Sequence, residues 1–204
     1  MNNSFVNFGR MTWAASRMLL VLTVVTGIVY PLLVTGIGQT AFRHKANGSI
    51  VEVDGKEAGS SLIGQSWNIK GTDKPDPKWF QPRPSNSDYD PLATGSNQLS
   101  ASNPKLVKLV RDAKERVAEF NGVPQSEVPK DAVTGSASAI DPDISPKYAD
   151  IQVGRVAKAN GLPAAQVRKL VKDHTDGRVI GFMGEPRVNV LELNIALKGL
   201  VAKR

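Results

Sequence analysis

One apolar run near the start of the chain restricts the possible folds more than any other feature of the sequence. Residues 18–42 contain no ionisable side chain except Tyr30, which is neutral at pH 7. A helix of roughly 20 apolar residues crosses the hydrocarbon core of a bilayer. Arg10 and Arg17 precede the run, so basic side chains stand at its first boundary. We therefore predict a transmembrane helix over residues 18–42.

Two other interpretations of this run are weaker. A cleaved signal peptide has an apolar region of only ~7–15 residues before an Ala-x-Ala-like site, and Gln39-Thr40-Ala41 matches that site poorly. A buried core helix rarely has so long an uninterrupted apolar run. We expect an uncleaved anchor that divides the chain into a cytoplasmic N-terminal tail (1–17), the helix (18–42) and an extracytoplasmic domain (43–204). The flanking Lys/Arg counts are equal, so only the α-amino group favours this orientation.

Composition excludes several kinds of chemistry. The chain has no cysteine, which rules out disulfides, thiolate catalysis and zinc–thiolate or iron–sulfur sites. Its two histidines, His44 and His174, provide little material for a histidine metal site. The formal net charge is +7, but residues 1–45 contribute four basic and no acidic side chains. The remaining 22 basic and 19 acidic residues leave a net charge of only +3, which weakens a nucleic-acid interpretation based on charge.

The part after the anchor begins with short strands and a long irregular segment. Asp54-Gly55 predicts the turn of a hairpin that begins near Ser49, and residues 61–67 predict a further short strand. Residues 71–104 contain six prolines among Ser, Asn, Asp and Gly, which is incompatible with regular structure. We call this segment the Pro-rich loop. The loop contains three aromatic residues, Trp79, Phe80 and Tyr89. Disordered segments contain few aromatic side chains, so we do not expect the loop to be simply disordered.

Four helices follow, each marked at its start by a capping residue or a proline. Asn-Gly pairs at 121–122 and 160–161 end the first two. Residues 178–182 predict a strand. The predicted fold class is α+β: one N-terminal transmembrane helix followed by a single mixed domain with about four helices and a few short strands. The helices of this domain begin at Pro104, Pro146, Pro163 and Asn189.

The anchor carries features that a bare tether does not need. Pro31 has no N–H, so the carbonyl of Gly27 loses its helical partner and a kink is expected. Gly27, with Thr23 one turn earlier, lets another helix approach closely. We predict that a face formed by Thr23, Gly27, Tyr30 and Pro31 packs against other membrane helices.

Two alternative functions have some basis in the sequence. Ser136 and Ser138 in a Gly/Ala-rich loop, together with Asp141 and His174, suggest an extracytoplasmic hydrolase, but the loop lacks the Gly-x-Ser-x-Gly pattern. Residues 146–174 have the helix–turn–helix order of DNA-binding hairpins, which would fit a membrane-anchored regulator. An ordinary turn and an ordinary helical hairpin explain the same residues more simply.

Nine segments occur along the chain in one characteristic order. They are TGIVYPL from Thr26, ANGS from Ala46, GSSLIGQ from Gly59, WFQPRPS from Trp79, GSN from Gly95 with SNP from Ser102, VTGSAS from Val133, DPDISP from Asp141, QVGRVA from Gln152 and GEPRVNVLELN from Gly184. Over residues 18–197 the chain thereby resembles the C subunit (KdpC) of the bacterial Kdp-type potassium-transporting ATPase. Ala137 and Ala139 stand where that family usually has glycine, and residues 94–103 depart from its fuller Gly-rich run.

The resemblance implies a non-catalytic, single-pass subunit of an ATP-driven, high-affinity potassium import complex in the cell (inner) membrane. Its implied partners are a channel-like potassium-binding subunit, a P-type ATPase subunit and any small membrane subunit. ATP and potassium would be handled by these partners, with no metal or tightly bound cofactor in this chain. The family role is assembly. A glutamine that matches Gln152 is associated with a proposed action as a catalytic chaperone, which raises the ATP affinity of the ATPase subunit.

We further expect the extracytoplasmic domain to cap the outer face of the potassium-binding subunit. Proline pre-orders an extended segment and so lowers the ordering cost of binding. The Pro-rich loop is therefore the expected contact surface, and nucleic acid is not an expected partner. The residues that we predict for partner contact are Gln65, Phe80, Arg83, Ser85, Asn97 and Asn103.

Overall fold

The computed structural model describes residues 2–203, and the chain divides into two compact units between Ser49 and Ile50. The first unit is helical and begins well before residue 18, within the predicted tail. Its elements are helix α1 (Asn2–Val24), a π-helical segment (Val25–Val29), helix α2 (Tyr30–Ala41) and the short helix α3 (Arg43–Ala46).

The long helix of this unit has the length and composition of a membrane span. Phe5–Ala41 is continuous, with a mean hydropathy of 2.3 in its most apolar window. The π-helical segment ends two residues before Pro31, whose missing N–H interrupts the α-helical ladder. Tyr30 N–H donates to Val25 O, five residues earlier. The α-helical hydrogen-bond pattern is therefore replaced by a π-helical turn just before Pro31, while the expected kink stays a prediction.

The second unit starts with the hairpin that the sequence predicts. Strands β1 (Ile50–Val53) and β2 (Lys56–Ser60) pair antiparallel. Asp54 and Gly55 form the turn with φ of 53° and 73°, the left-handed conformation for which an Asp-Gly pair is suited.

A second antiparallel sheet is built from three very short strands. Its order is β3-β5-β4, so the last strand of the chain lies in the middle. The ten-residue connection from β4 to β5 closes a hairpin. The strands are β3 (Asp143–Ile144), β4 (Thr175–Asp176) and β5 (Arg187–Asn189).

Two of the predicted strands are wrong. Residues 61–67 form turns and irregular backbone, because Gly64 N–H donates to Ile140 O of a distant loop instead of to a neighbouring strand. Residues 178–182 lie in the hairpin connection and form no strand, because the β4–β5 ladder ends at Asp176 and Arg187 and only Val179 pairs further on, in an isolated bridge with Met183.

Four α-helices are the main regular elements of the second unit, and their starts agree with the sequence. Asn103 Oδ1 accepts from Lys105 N–H, Ser145 Oγ from Tyr148 N–H and Asn189 Oδ1 from Glu192 N–H, so three of the four predicted helix starts have a side-chain cap. The helices are α4 (Pro104–Asn121), α5 (Pro146–Asn160), α6 (Ala164–Asp173) and α7 (Val190–Ala202), with 3₁₀ turns at Gln125–Glu127 and Lys130–Ala132. The α+β class is thereby confirmed.

Helix α5 is the centre of the domain. It packs against α4, α6 and β5, and α7 closes the core from the side of α6. The inner faces of these elements are apolar, which removes a large hydrophobic area from water. The fully buried side chains include Phe80, Val153, Val156, Val167, Val188, Leu193 and Leu197.

Candidate functional site

The Pro-rich loop is fastened to the core by the side-chain amide of Asn194, a fully buried residue of α7. Asn194 Oδ1 accepts a hydrogen bond from Phe80 N–H at 2.9 Å, and its Nδ2 donates to Phe80 O at 3.0 Å. The Phe80 ring is itself fully buried among the core residues. One side chain therefore satisfies both polar groups of a buried backbone residue, which would otherwise destabilise the core.

Gln152 of α5 binds the next residue of the loop in the same way. Its Oε1 accepts from Gln81 N–H at 2.7 Å and its Nε2 donates to Gln81 O at 3.0 Å. Gln152 is also fully buried. We call Gln152 and Asn194 the amide clamp, since together they hold two consecutive residues of the loop by their backbone.

Sequence explains why this segment needs side chains as partners. Phe80 and Gln81 are followed by Pro82, and Arg83 by Pro84. Residues before proline favour extended backbone, and proline itself has no N–H to give to a sheet neighbour. The two amides supply the hydrogen bonds that a neighbouring strand would supply.

Arg155 reinforces the clamp from one turn further along α5. Its Nη1 donates to Pro77 O at 2.7 Å and to Trp79 O at 2.9 Å, and its Nη2 donates to Gln152 Oε1 at 2.7 Å. The guanidinium carbon lies 4.3 Å from the centroid of the Phe120 ring. Burial lowers the pKa of Arg155 to about 10. The cation is thus held by carbonyl oxygens and a ring face.

The next part of the loop is bound by a second set of contacts. Arg83 Nη1 donates to Asp141 Oδ2 at 2.9 Å, and Ser85 Oγ donates to Ala139 O at 2.7 Å. Ser85 Oγ also accepts from Tyr89 N–H, and Tyr89 OH donates back to Arg83 O. Burial raises the pKa of the Tyr89 phenol well above its usual value, so this donor stays protonated.

Comparison with known proteins identifies the family. The profile described as "KdpC: K+-transporting ATPase, c chain" matches residues 12–199. A potassium-transporting ATPase KdpC subunit from Streptomyces avermitilis is 54% identical over 220 residues, covering 99% of this chain and 99% of the relative. The chain belongs to the KdpC family. KdpC subunits of Caldanaerobacter subterraneus subsp. tengcongensis, 49% identical over 179 residues (87% and 89% covered), and Mycobacterium tuberculosis, 46% over 189 residues (91% and 96%), are similar as well.

Family membership makes the chain a subunit of a K⁺-transporting ATPase complex, with one transmembrane helix. The complex implies other subunits. Membership of this family gives no support to the two alternative functions, a DNA-binding regulator and a hydrolase. The hairpin of residues 146–174 is present, but its inner faces form the core, and Arg168 lies 3.2 Å from Asp150 of the same hairpin.

The structure gives each residue that we predicted for partner contact a bonding role inside the KdpC domain. Phe80, Arg83 and Ser85 belong to the contacts described above. Gln65 Nε2 donates to Ala58 O at 2.9 Å, and Asn103 caps α4. Asn97 is exposed, and its Nδ2 donates to Asn86 Oδ1 at 3.1 Å.

Gln152, which the resemblance associates with ATP affinity, has both amide atoms engaged in the core. A nucleotide would have to displace Gln81 and Arg155 to reach it. Among residues 2–203, no cluster of three His, Cys, Asp or Glu side chains is arranged to hold a metal ion.

The residues predicted for packing in the membrane lie on the helical unit. Thr23, Gly27, Tyr30 and Pro31 are all exposed within that unit. Apart from its chain neighbours and the backbone of its own helix, no described atom lies within 4 Å of the position that a Cβ on Gly27 would occupy. A second helix therefore has room to approach there.

Sequence reasoning missed Asn194, Arg155 and Tyr89. Asn194 had a signal, because it is a polar residue between Leu193 and Leu197 on the apolar face of a helix. A polar residue at such a position needs a partner, although the sequence does not say which one.

Proposed function

We propose that this chain is a non-catalytic subunit that holds a potassium-transporting ATPase together through surfaces outside the cytoplasm. The observation that carries the proposal is the amide clamp. It fixes Phe80 and Gln81 of the Pro-rich loop against the core, while residues 90–98 stay largely exposed and Leu92 is 94% exposed. A segment that is ordered before binding loses little conformational entropy on binding.

The proposed partner of this exposed segment is the channel-like subunit that binds potassium. The domain would cap the outer face of that subunit, and the anchor would pack against membrane helices through Thr23, Gly27, Tyr30 and Pro31. A P-type ATPase subunit and any small membrane subunit complete the proposed complex. In this arrangement the partners handle ATP and potassium.

We infer that any effect of this chain on ATP affinity is indirect. The contacts of Gln152 support this proposal, because its amide already bonds Gln81 and Arg155. An extracytoplasmic domain also lies across the membrane from cytoplasmic ATP. The chain would then act as a catalytic chaperone by stabilising the assembled ATPase subunit.

The positions of the candidate catalytic groups support a non-catalytic role. Ser136 Oγ and Ser138 Oγ lie 3.2 Å apart, so each hydroxyl has the other as a partner. His174 Nδ1 lies 2.9 Å from Leu170 O of its own helix. Alanine at Ser136, Ser138 or His174 should leave ATP turnover of the assembled complex unchanged, and a turnover loss with intact assembly would contradict the proposal.

The contact surface is tested by recovery of the complex. Leu92→Asn should lower recovery of the other subunits in a mild-detergent pull-down, without changing the thermal midpoint of the chain. Leu62→Asn is the matched control, because Leu62 is also exposed, at 60%, but lies outside the loop. Equal recovery with both variants would refute the proposed surface. A C-terminal reporter active only outside the cytoplasm tests the orientation.

A further inference from the structure

A short turn with two basic side chains directly follows the apolar helix. Helix α2 ends at Ala41, and Arg43 and Lys45 lie with exposed side chains in the four-residue helix α3. We call Arg43 and Lys45 the basic pair. A Cβ on Gly38 would lie 3.6 Å from Ala46 Cβ, so α3 packs against the last turn of α2. The basic pair is therefore held at the end of the apolar helix and does not sit on a free linker.

Two side-chain amides fix this turn in place. Gln39 Nε2 donates to Asn47 Oδ1 at 3.0 Å, and Asn47 Nδ2 donates back to Gln39 Oε1 at 3.2 Å, which links α2 to the residue after α3. Asn47 Nδ2 also donates to Arg43 O at 2.8 Å, and Ser49 N–H donates to His44 O at 3.0 Å. A turn fixed directly after an apolar span lies at the depth of the lipid headgroups.

The helical unit has no acidic side chain that could neutralise the basic pair. Glu52 is the first acidic residue of the chain, so residues 1–51 contain no side-chain carboxylate. The ion pairs of the described residues all lie in the second unit, and none of them includes Arg43 or Lys45. Two exposed cations at headgroup depth, with no acidic residue in their own unit, favour an anion supplied by the membrane.

We propose that the basic pair binds the headgroup phosphate of an anionic phospholipid in the leaflet nearest α3. A guanidinium offers two parallel N–H donors to phosphate oxygens, and lysine adds a point charge. Both side chains can lay their alkyl stems along apolar surface while their charged ends reach the phosphate. Phe42 lies between α2 and α3 and is 58% exposed, so it offers the acyl chain an apolar neighbour.

A lipid is favoured over an acidic protein segment because phospholipid phosphates surround the end of any membrane span without a further partner. The inference goes beyond the proposed function. It depends on the span alone and holds for either orientation of the chain in the membrane.

Lipid retention by the full chain tests this inference. The chain is reconstituted in vesicles of equal phosphatidylcholine and phosphatidylglycerol, transferred to a mild non-ionic detergent and weighed by native mass spectrometry. The wild type should retain phosphatidylglycerol in preference to phosphatidylcholine. Arg43→Gln/Lys45→Gln should lower that preference on the order of tenfold. A preference equal to that of the wild type would overturn the proposal.

Two further variants separate a specific site from general charge. Arg43→Lys/Lys45→Arg keeps both charges and should keep the preference. Lys105→Gln/Arg111→Gln is the matched control, because it removes the same charge from exposed positions of α4. It should retain phosphatidylglycerol as the wild type does, and an equal loss in this control would overturn the assignment to the basic pair. All three variants should keep the wild-type thermal midpoint, since the substituted side chains lie at the surface.

Photocrosslinking identifies the occupant in the intact complex. Phe42→p-benzoylphenylalanine places the reactive group beside the basic pair, and in the same vesicles it should give more adducts with phosphatidylglycerol than with phosphatidylcholine. Adducts with protein alone would overturn the proposal in favour of an acidic partner. Excess inorganic phosphate should leave the retained lipid in place, whereas displacement of the lipid would assign the basic pair to a soluble anion. Failure to recover the other subunits would refute only the proposed function, because lipid retention is measured on the chain alone.

Discussion

Removing the Gln152 amide tests the clamp and the ATP hypothesis with one residue. Gln152→Ala leaves Gln81 N–H and Gln81 O without their partners in a fully buried site. Each buried polar group that loses its partner costs about 1–3 kcal/mol, so the free energy of unfolding should fall by about 2–6 kcal/mol. That is a large share of the roughly 5–15 kcal/mol that stabilises a domain.

Gln152→Met separates the hydrogen bonds from the volume of the side chain. Methionine fills a similar space, so the cavity contribution is small while both hydrogen bonds are lost. We expect Gln152→Met to keep most of the loss, about 2–4 kcal/mol. Gln166→Ala is the control, because Gln166 is exposed on α6, and its effect should stay within about 0.5 kcal/mol.

Urea unfolding of the full chain in a mild non-ionic detergent measures these changes. The indole rings of Trp67 and Trp79, whose centroids lie 5.3 Å apart beside the clamped segment, report the transition by fluorescence. In complexes that contain Gln152→Met and still assemble, the KM for ATP should be that of the wild type. A raised KM with wild-type stability would refute the clamp reasoning and favour direct contact with the nucleotide.

Three further predictions concern other parts of the domain. Gly64→Ala should destabilise the domain by about 1–3 kcal/mol, because its Cβ would lie 2.6 Å from Tyr89 Cδ1 and 2.8 Å from Asp141 O. Gly154→Ala should stabilise the domain by about 0.5–1 kcal/mol, because its Cβ would meet nothing within 4 Å beyond the backbone of its own helix. Equal thermal midpoints for the two variants would contradict this reasoning. Burial raises the pKa of Asp143, so the folded state binds its proton more tightly than the unfolded state does. The wild type should therefore lose stability relative to Asp143→Asn as pH rises from 3.8 through the folded pKa. Thermal melts of both proteins at about pH 3.5 and about pH 7 measure this change. The midpoint of Asp143→Asn relative to that of the wild type should rise with pH, and a fall would exclude burial as the cause. Asn103→Ala should cost about 1 kcal/mol through the lost cap of α4, and Asn103→Asp should retain the wild-type midpoint.

Local patterns were predictable from the sequence because a few adjacent residues contain all the information. The caps at Asn103, Ser145 and Asn189 each depend on a side chain and an N–H two or three residues later. The Asp54-Gly55 turn is local in the same sense. Short strands fail for the opposite reason, since two- and three-residue strands are too brief for a periodic pattern and are defined by partners far along the chain.

The clamp was not predictable because its partners are remote in sequence. Asn194 and Phe80 are separated by 114 positions, and Gln152 and Gln81 by 71. An amide side chain carries no charge and belongs to no sequence motif here, so nothing in the sequence specifies such a partner. The residues of the loop could be identified by family resemblance, but their inward-facing role could not.

The Pro-rich loop depends on the amide clamp for its order. The Pro-rich loop cannot form a sheet of its own, because Pro82 and Pro84 have no N–H to donate. Its order therefore depends on helices α5 and α7, which also form the core. Loosening the loop would expose Phe80 and leave the amides of Gln152 and Asn194 buried without partners, so the loop and the core should unfold together. A partner that binds the exposed part of the loop then stabilises the whole domain through mass action, and assembly and folding stability become linked.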